Sequence, residues 1–274
     1  MNSMLHRKPA VAGQFYPCEP EHLRESVQQY IDRSEVQAAP ERVVAIVSPH
    51  AGYIYSGPTA GYAYARVRGK KPRRVILLGC SHRYHIATAA VYARGSFETP
   101  LLTFPVDEPF AEAVAEEIGL TTVEPHLFEH ALEVQLPFLA EAVGEVPIVP
   151  ILFGSAPNEW HAHAGKLLAD MGDPDDLVIA STDLSHYHPD SRAHALDRAT
   201  LDTVLTKDWT KLVRAGNKEE IGMCGAAAVV AAMSYALERG AASWSLLDYR
   251  TSAQVSGDYS RVVGYAALSM ERSS

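Results

Sequence analysis

Short apolar runs alternate along this chain with longer segments whose apolar residues recur every three or four positions. The runs at 43–47, 75–78, 148–152 and 177–180 are rich in β-branched residues and bounded by turn residues, as strands buried on both faces are. Weaker strand candidates lie at 89–93, 243–249 and 262–269. Helical spacing covers 19–33, with Pro20 in its first turn. It also covers 107–118, where Asp107 is set to cap, Pro109 sits in the first turn and Gly119 follows the end. Further helical patterns run over 129–143, 157–171 and 191–205, and an Ala-rich stretch at 224–238 closes before Gly240. Alternation of this kind predicts an α/β fold with a central, mostly parallel mixed sheet flanked by helices. The polar stretch 34–41 joins the first helix to the first central strand. What precedes it is too small to bury a core alone, so residues 1–274 read as one domain.

Three of the predicted strands run into polar turns that each carry a histidine. The first leads to Ser48-Pro49-His50-Ala51-Gly52-Tyr53, the second to Gly79-Cys80-Ser81-His82, and another to Ser181-Thr182-Asp183-Leu184-Ser185-His186. Ligands of open α/β sheets bind beyond the carboxyl ends of the strands, so these three turns are expected to converge. The chain has 12 histidines, and most carry no such context. His161 and His163 are two apart on a predicted helix and point in different directions. His6, His22, His126 and His194 stand alone, while His85 and His188 are candidates for the rim of the site only.

Cys224, in Ile221-Gly222-Met223-Cys224-Gly225, sits where the Ala-rich helix begins. A helix N-terminus favours a thiolate there, making the residue a competent ligand or nucleophile. A small buried core residue is the alternative. Glu129 and Glu133 are four apart and share a face beside His130, a pattern read as a solvated helix face.

Composition narrows the function classes. The formal charge is −9 and no stripe of Lys and Arg could neutralise a run of phosphates, so nucleic-acid binding is not expected. Three cysteines with no CxxC spacing fit a reducing compartment better than a disulfide framework. No apolar h-region follows the basic N-terminal residues, and no apolar run approaches the ~20 residues of a membrane span. A cytoplasmic protein is expected, with no membrane partner.

Read together, the segment Arg7-Lys8-Pro9-Ala10-Val11-Ala12-Gly13-Gln14-Phe15-Tyr16-Pro17 and the turns at 49–53, 79–82, 129–130, 181–186 and 224–225 resemble the Memo family, called AmmeMemoRadiSam system protein B in prokaryotes. The resemblance spans essentially the whole chain. It implies a fold similar to LigB-type class III extradiol dioxygenases, whose non-haem iron is held by two His and one carboxylate. On that pattern His50 and His82 match the two imidazole ligands. Cys224 matches the Memo cysteine that stands where the dioxygenases use Glu. Asp183, His186 and His130 match polar residues of the pocket, with His186, oriented by Asp183, expected to move protons.

One position departs from the family pattern. The loop before His82 usually carries proline where this chain has Cys80, which brings a second thiol toward the metal. A thiolate in place of the carboxylate softens the site toward copper, zinc or thiolate-bound iron. The resemblance therefore implies a mononuclear metal site, iron or copper before zinc, in a redox enzyme. A non-catalytic module binding a peptide or phosphorylated ligand, and a zinc hydrolase, are the alternatives. An AMMECR-domain protein and a radical SAM protein are the partners it implies.

Overall fold

The computed structural model describes residues 6–154, 156–218 and 220–273, so part of the basic N-terminal segment lies outside the described residues. Three short strands, β1 (His6–Arg7), β5 (Ser96–Glu98) and β6 (Thr103–Pro105), form a small sheet in the order β1-β5-β6. The main sheet has nine strands. They are β2 (Val43–Ser48), β3 (Val75–Cys80), β4 (Ala89–Val91), β7 (Leu120–Thr121), β8 (Ile148–Phe153), β9 (Leu177–Ser181), β10 (His186–His188), β11 (Ala241–Thr251) and β12 (Val262–Arg272). Their order is β10-β12-β2-β9-β3-β8-β4-β7, with β11 paired to β12.

The four central strands, β2-β9-β3-β8, run parallel, antiparallel pairings of β12 with β2 and of β4 with β8 flank them, and β7 adds a short parallel pair to β4. The central strands are the ones with continuous apolar runs. Every residue of β2, β8 and β9 is buried, as helices on both faces require. Because these strands are parallel, all their carboxyl ends reach one edge of the sheet. Ser48 at the end of β2 registers with Ser181 at the end of β9, and β3 beside β9 ends at Cys80. The predicted convergence of the three His-bearing turns follows from this register.

One helical expectation changes, and the helices Tyr53–Arg66 and Trp209–Asn217 had none. The pattern over 129–143 is broken: a short helix Glu124–Leu127 and a 3₁₀ turn Glu133–Gln135 precede the helix Leu136–Ala142. Pro125 and Pro137 each sit in a first turn, where a missing N–H costs nothing, and the stretch between them is held by side chains instead. The helix Tyr53–Arg66 has no forecast in the sequence, since Gly57, Pro58 and Gly61 lower its propensity. Packing decides there. A Cβ at Gly61 would lie 2.2 Å from the carbonyl oxygen of Tyr30, so glycine lets this helix press against the helix Pro20–Arg33. No helix among the described residues is long and apolar enough to cross a membrane.

Candidate metal centre

His50 follows β2 and is almost fully buried. Its backbone N–H donates to Asp183 Oδ1 at 2.8 Å, and its Nδ1 lies 3.0 Å from Ser181 Oγ. The hydroxyl proton of Ser181 goes to the Ala131 carbonyl at 2.6 Å, and Gln135 Nε2 donates to Ser181 Oγ at 2.9 Å. Ser181 Oγ can therefore only accept from His50, which fixes a proton on Nδ1 and leaves Nε2 to face the cluster. That nitrogen points at Cys224 Sγ, 3.2 Å away.

His82 is set in the same way by a different group. Glu129 Oε2 accepts the His82 backbone N–H at 2.7 Å, and Oε1 lies 2.9 Å from Nδ1 and accepts the Ala131 N–H at 2.9 Å. Burial opposes ionisation of Glu129, yet His82 and these N–H groups hold its pKa down to about 2. A carboxylate only accepts, so His82 also carries its proton on Nδ1 and presents Nε2, which is 3.5 Å from Cys80 Sγ. Two imidazoles from two strand ends thus offer the same nitrogen to one point. Such outer partners are what orient metal-binding histidines elsewhere.

Cys224 precedes the helix Ala226–Glu238, and Gly225 caps it. A Cβ at Gly225 would come 2.5 Å from the Ser181 carbonyl oxygen, so glycine allows the helix start to abut the end of β9. The Asp183 N–H donates to Cys224 Sγ at 3.3 Å. The Cys80 thiol beside it is the largest influence holding Cys224 well below the usual thiol range, burial opposes, and His50 and His82 add to the effect. Cys80 is pushed up correspondingly, by its bond to Cys224 and by burial. Burial disfavours charge on both histidines, but Cys224 with Asp183 raises His50 to about 9, and Cys224 with Glu129 raises His82 to about 10. Without a metal, the centre holds a thiolate between two imidazolium rings.

The donor atoms of His50, Cys80, His82 and Cys224 all lie within 4.8 Å of one another. The set fits a metal ion: two imidazole lone pairs and a thiolate converge, and a cation would take the place of the two imidazolium protons. A second group, His82, Glu129 and His130, is equally close. Its carboxylate is already engaged by two backbone N–H groups and by His82, so it serves to position rather than to ligate.

A cavity of about 350 Å³ opens on the imidazole side. Phe15, His50, His82, His130, Asp183 and His186 line it, as do Tyr187 and Tyr265. His130 stacks on His82 with ring centroids 4.6 Å apart, and burial with the neighbouring His50 charge lowers its pKa to about 4. His85 and His188 are not among the described lining residues. A larger groove of about 530 Å³ shares Phe15 but holds none of the four candidate donors.

A family model described as Memo-like protein matches residues 7–269. The chain belongs to the Memo family. A MEMO1 family protein of Methanopyrus kandleri is 34% identical, over 98% of this chain and 100% of that protein. One of Thermoplasma acidophilum is 34% identical, over 96% of this chain and 98% of its own length. The crystal structure of an uncharacterized protein from Escherichia coli K12 shares the fold, with a TM-score of 0.56 and 14% identity over 84% of this chain and 100% of that one.

Within this Memo chain, His50, His82, His130, Asp183 and His186 line one cavity and Cys224 lies against His50, whereas His85 and His188 are not in that lining, and two roles differ. Asp183 binds the backbone of His50, and its Oδ2 is 4.0 Å from His50 Nε2; no hydrogen bond to His186 occurs among the described residues. Asp183 therefore steadies the His50 turn instead of orienting His186. Glu129, read as part of a solvated face, is buried and fixes His82. Its one signal in the sequence was its place beside His130. Of the two residues that fix the His50 tautomer, Ser181 stood in the third His-bearing turn with no role of its own, and Gln135 carried no signal.

Proposed function

We propose that this Memo-family chain is a metal-dependent redox enzyme, with the metal held by His50, His82 and Cys224 and a small organic substrate bound in the cavity on the imidazole side. One observation supports this reading most strongly: both histidines are held with a proton on Nδ1, His50 Nε2 faces Cys224 Sγ at 3.2 Å, and the His82 ring lies in the same cluster of donor atoms. A bound iron or copper ion would supply electron exchange, the chemistry that two imidazoles and a thiolate favour. The remaining work falls to the chain. His130, neutral and on the cavity wall, accepts a proton from the substrate, and His186, on the wall of the same cavity, exchanges protons. Asp183 and Glu129 hold the two ligand-bearing turns in place. Phe15 and Tyr265 give the cavity ring surfaces against which an organic substrate can pack.

The test is metal content after anaerobic purification, with visible absorption recorded on the parent and on His50→Ala, His82→Ala and Cys224→Ser. The parent is expected to hold about one iron or copper per chain with a thiolate-to-metal band, and each variant to lose both. A Cys224→Ser protein that retains metal as the parent does would sink the three-ligand reading. Stoichiometric zinc with esterase activity would favour a hydrolase in its place.

A further inference from the structure

We infer that Cys80 is a fourth metal ligand, so that this chain encloses its metal in a two-imidazole, two-thiolate set. The inference rests on the metal-site reading above and changes its coordination number. It starts from the position of the thiol. Cys80 is the last residue of β3, and β3 lies beside β9, whose following turn carries Thr182 and Asp183 against Cys224. The strand register therefore brings the two thiols to one sheet edge, and their sulfurs lie within 4.8 Å of each other.

The spacing matches a tetrahedral centre. Metal–sulfur bonds of about 2.3 Å and metal–nitrogen bonds of about 2.0–2.1 Å put neighbouring N and S ligands of a tetrahedron about 3.6 Å apart. The two nitrogen–sulfur edges here are 3.2 Å, from His50 Nε2 to Cys224 Sγ, and 3.5 Å, from His82 Nε2 to Cys80 Sγ. Each thiol thus has its own imidazole at ligand–ligand distance before any metal arrives. The remaining edges of the set all lie within 4.8 Å, so side-chain movement can close it.

The surroundings divide into two sides. The imidazoles open toward the cavity lined by His130 and His186, while Cys80 and Cys224 line a separate cavity of about 280 Å³ together with Phe153, Ile221 and Met223. A fully ligated tetrahedral metal has no open position, so a substrate in the imidazole-side cavity reaches it only if one ligand gives way. Cys80 is the ligand placed to do so. Both thiols border the second cavity, but among the described residues a backbone N–H donates to the Cys224 sulfur and none donates to that of Cys80. Two thiolates also move preference further toward zinc and Cu(I) and away from Fe(II) than one does.

X-ray absorption at the zinc edge tests this on the full chain loaded anaerobically with one equivalent of zinc, alongside Cys80→Ser and Cys80→Ala. The expected parent spectrum has two sulfur and two nitrogen scatterers, and each Cys80 variant loses one sulfur. Circular dichroism checks that the variants fold, and the sulfur count of the parent decides the matter even where they do not. One sulfur in the parent, unchanged in both variants, overturns the fourth ligand and leaves the three-ligand site standing. Failure of the parent to retain zinc, iron or copper overturns both readings.

Discussion

Glu129 and Glu133 are one helical turn apart in sequence, both are buried, and they serve opposite ends. Glu133 is fully enclosed and closed upon itself. Arg7 NH1 pairs with its Oε2 at 2.7 Å, the N–H groups of Ala10 and Val11 donate to it, and Tyr16 Oη donates at 2.7 Å. The segment Arg7 to Tyr16 is thus strapped across the molecule by one carboxylate, and Arg7 also reaches the carbonyls of His126 and Glu129. Glu129, by contrast, has backbone donors on one side and the two site histidines on the other, with His82 Nδ1 at 2.9 Å and His130 Nδ1 at 3.2 Å. The difference lies in what the partner has left over. Arg7 and Tyr16 spend their hydrogen-bonding capacity on the fold, whereas His82 keeps its Nε2 for the cluster, 3.5 Å from the Cys80 sulfur. A buried carboxylate marks a functional site when its partner still has something to offer.

Breaking the first network has the largest expected effect. Glu133→Gln leaves the buried Arg7 guanidinium without its counter-charge, a change that typically costs 3–5 kcal/mol. Chemical denaturation should register that loss, while any folded fraction keeps its metal per chain. If Glu133→Gln were as stable as the parent, the strap would not be what anchors the N-terminal segment. Glu129→Gln should act the other way round. Gln retains an acceptor oxygen for a backbone N–H, but the amide no longer offers an anionic acceptor to hold His82, so metal affinity should fall roughly 10–100-fold with a smaller loss of stability. Competition against a chelator measures it. A Glu129→Gln protein that loses stability like Glu133→Gln and keeps its metal would erase the distinction between the two carboxylates.

The same pair shows what the chain's pattern disclosed and what it hid. The four central strands were readable because strands buried on both faces must be continuously apolar, and their parallel register then accounts for the meeting of His50, His82 and Asp183. Cys224 was readable as a ligand candidate from its place near a helix start, which falls at Ala226. Glu129 and Glu133 were misread because spacing reports which residues share a face, never what covers that face. Here the cover is Arg7 and Tyr16, more than 110 positions earlier, and the loop of His82. The helix Tyr53–Arg66 escaped for a related reason, its glycines being matched to Tyr30 rather than to their own helix. The roles of Ser181 and Gln135 were invisible since a hydroxyl and an amide acquire direction only in the folded state.

A third acid in the same stretch sets the lower limit of the comparison. Glu141 lies in the helix Leu136–Ala142 and accepts from Arg24 Nε at 3.2 Å and from Gln28 Nε2 at 2.8 Å, both on the helix Pro20–Arg33. It bridges two elements as Glu133 does, but Arg24 is 46% exposed, so water screens the pair and can replace either partner. An exposed pair of this kind is worth about 0.2–1 kcal/mol. Glu141→Gln should therefore shift the denaturation midpoint slightly, more at low salt than at high salt, and leave metal content unchanged. A loss comparable to that of Glu133→Gln would mean that bridging two helices, and not burial with a full set of donors, is what makes a carboxylate here costly to remove. The insensitivity of the metal to Glu141→Gln would, in turn, separate the Glu129 effect from any general response of this region to losing an acid.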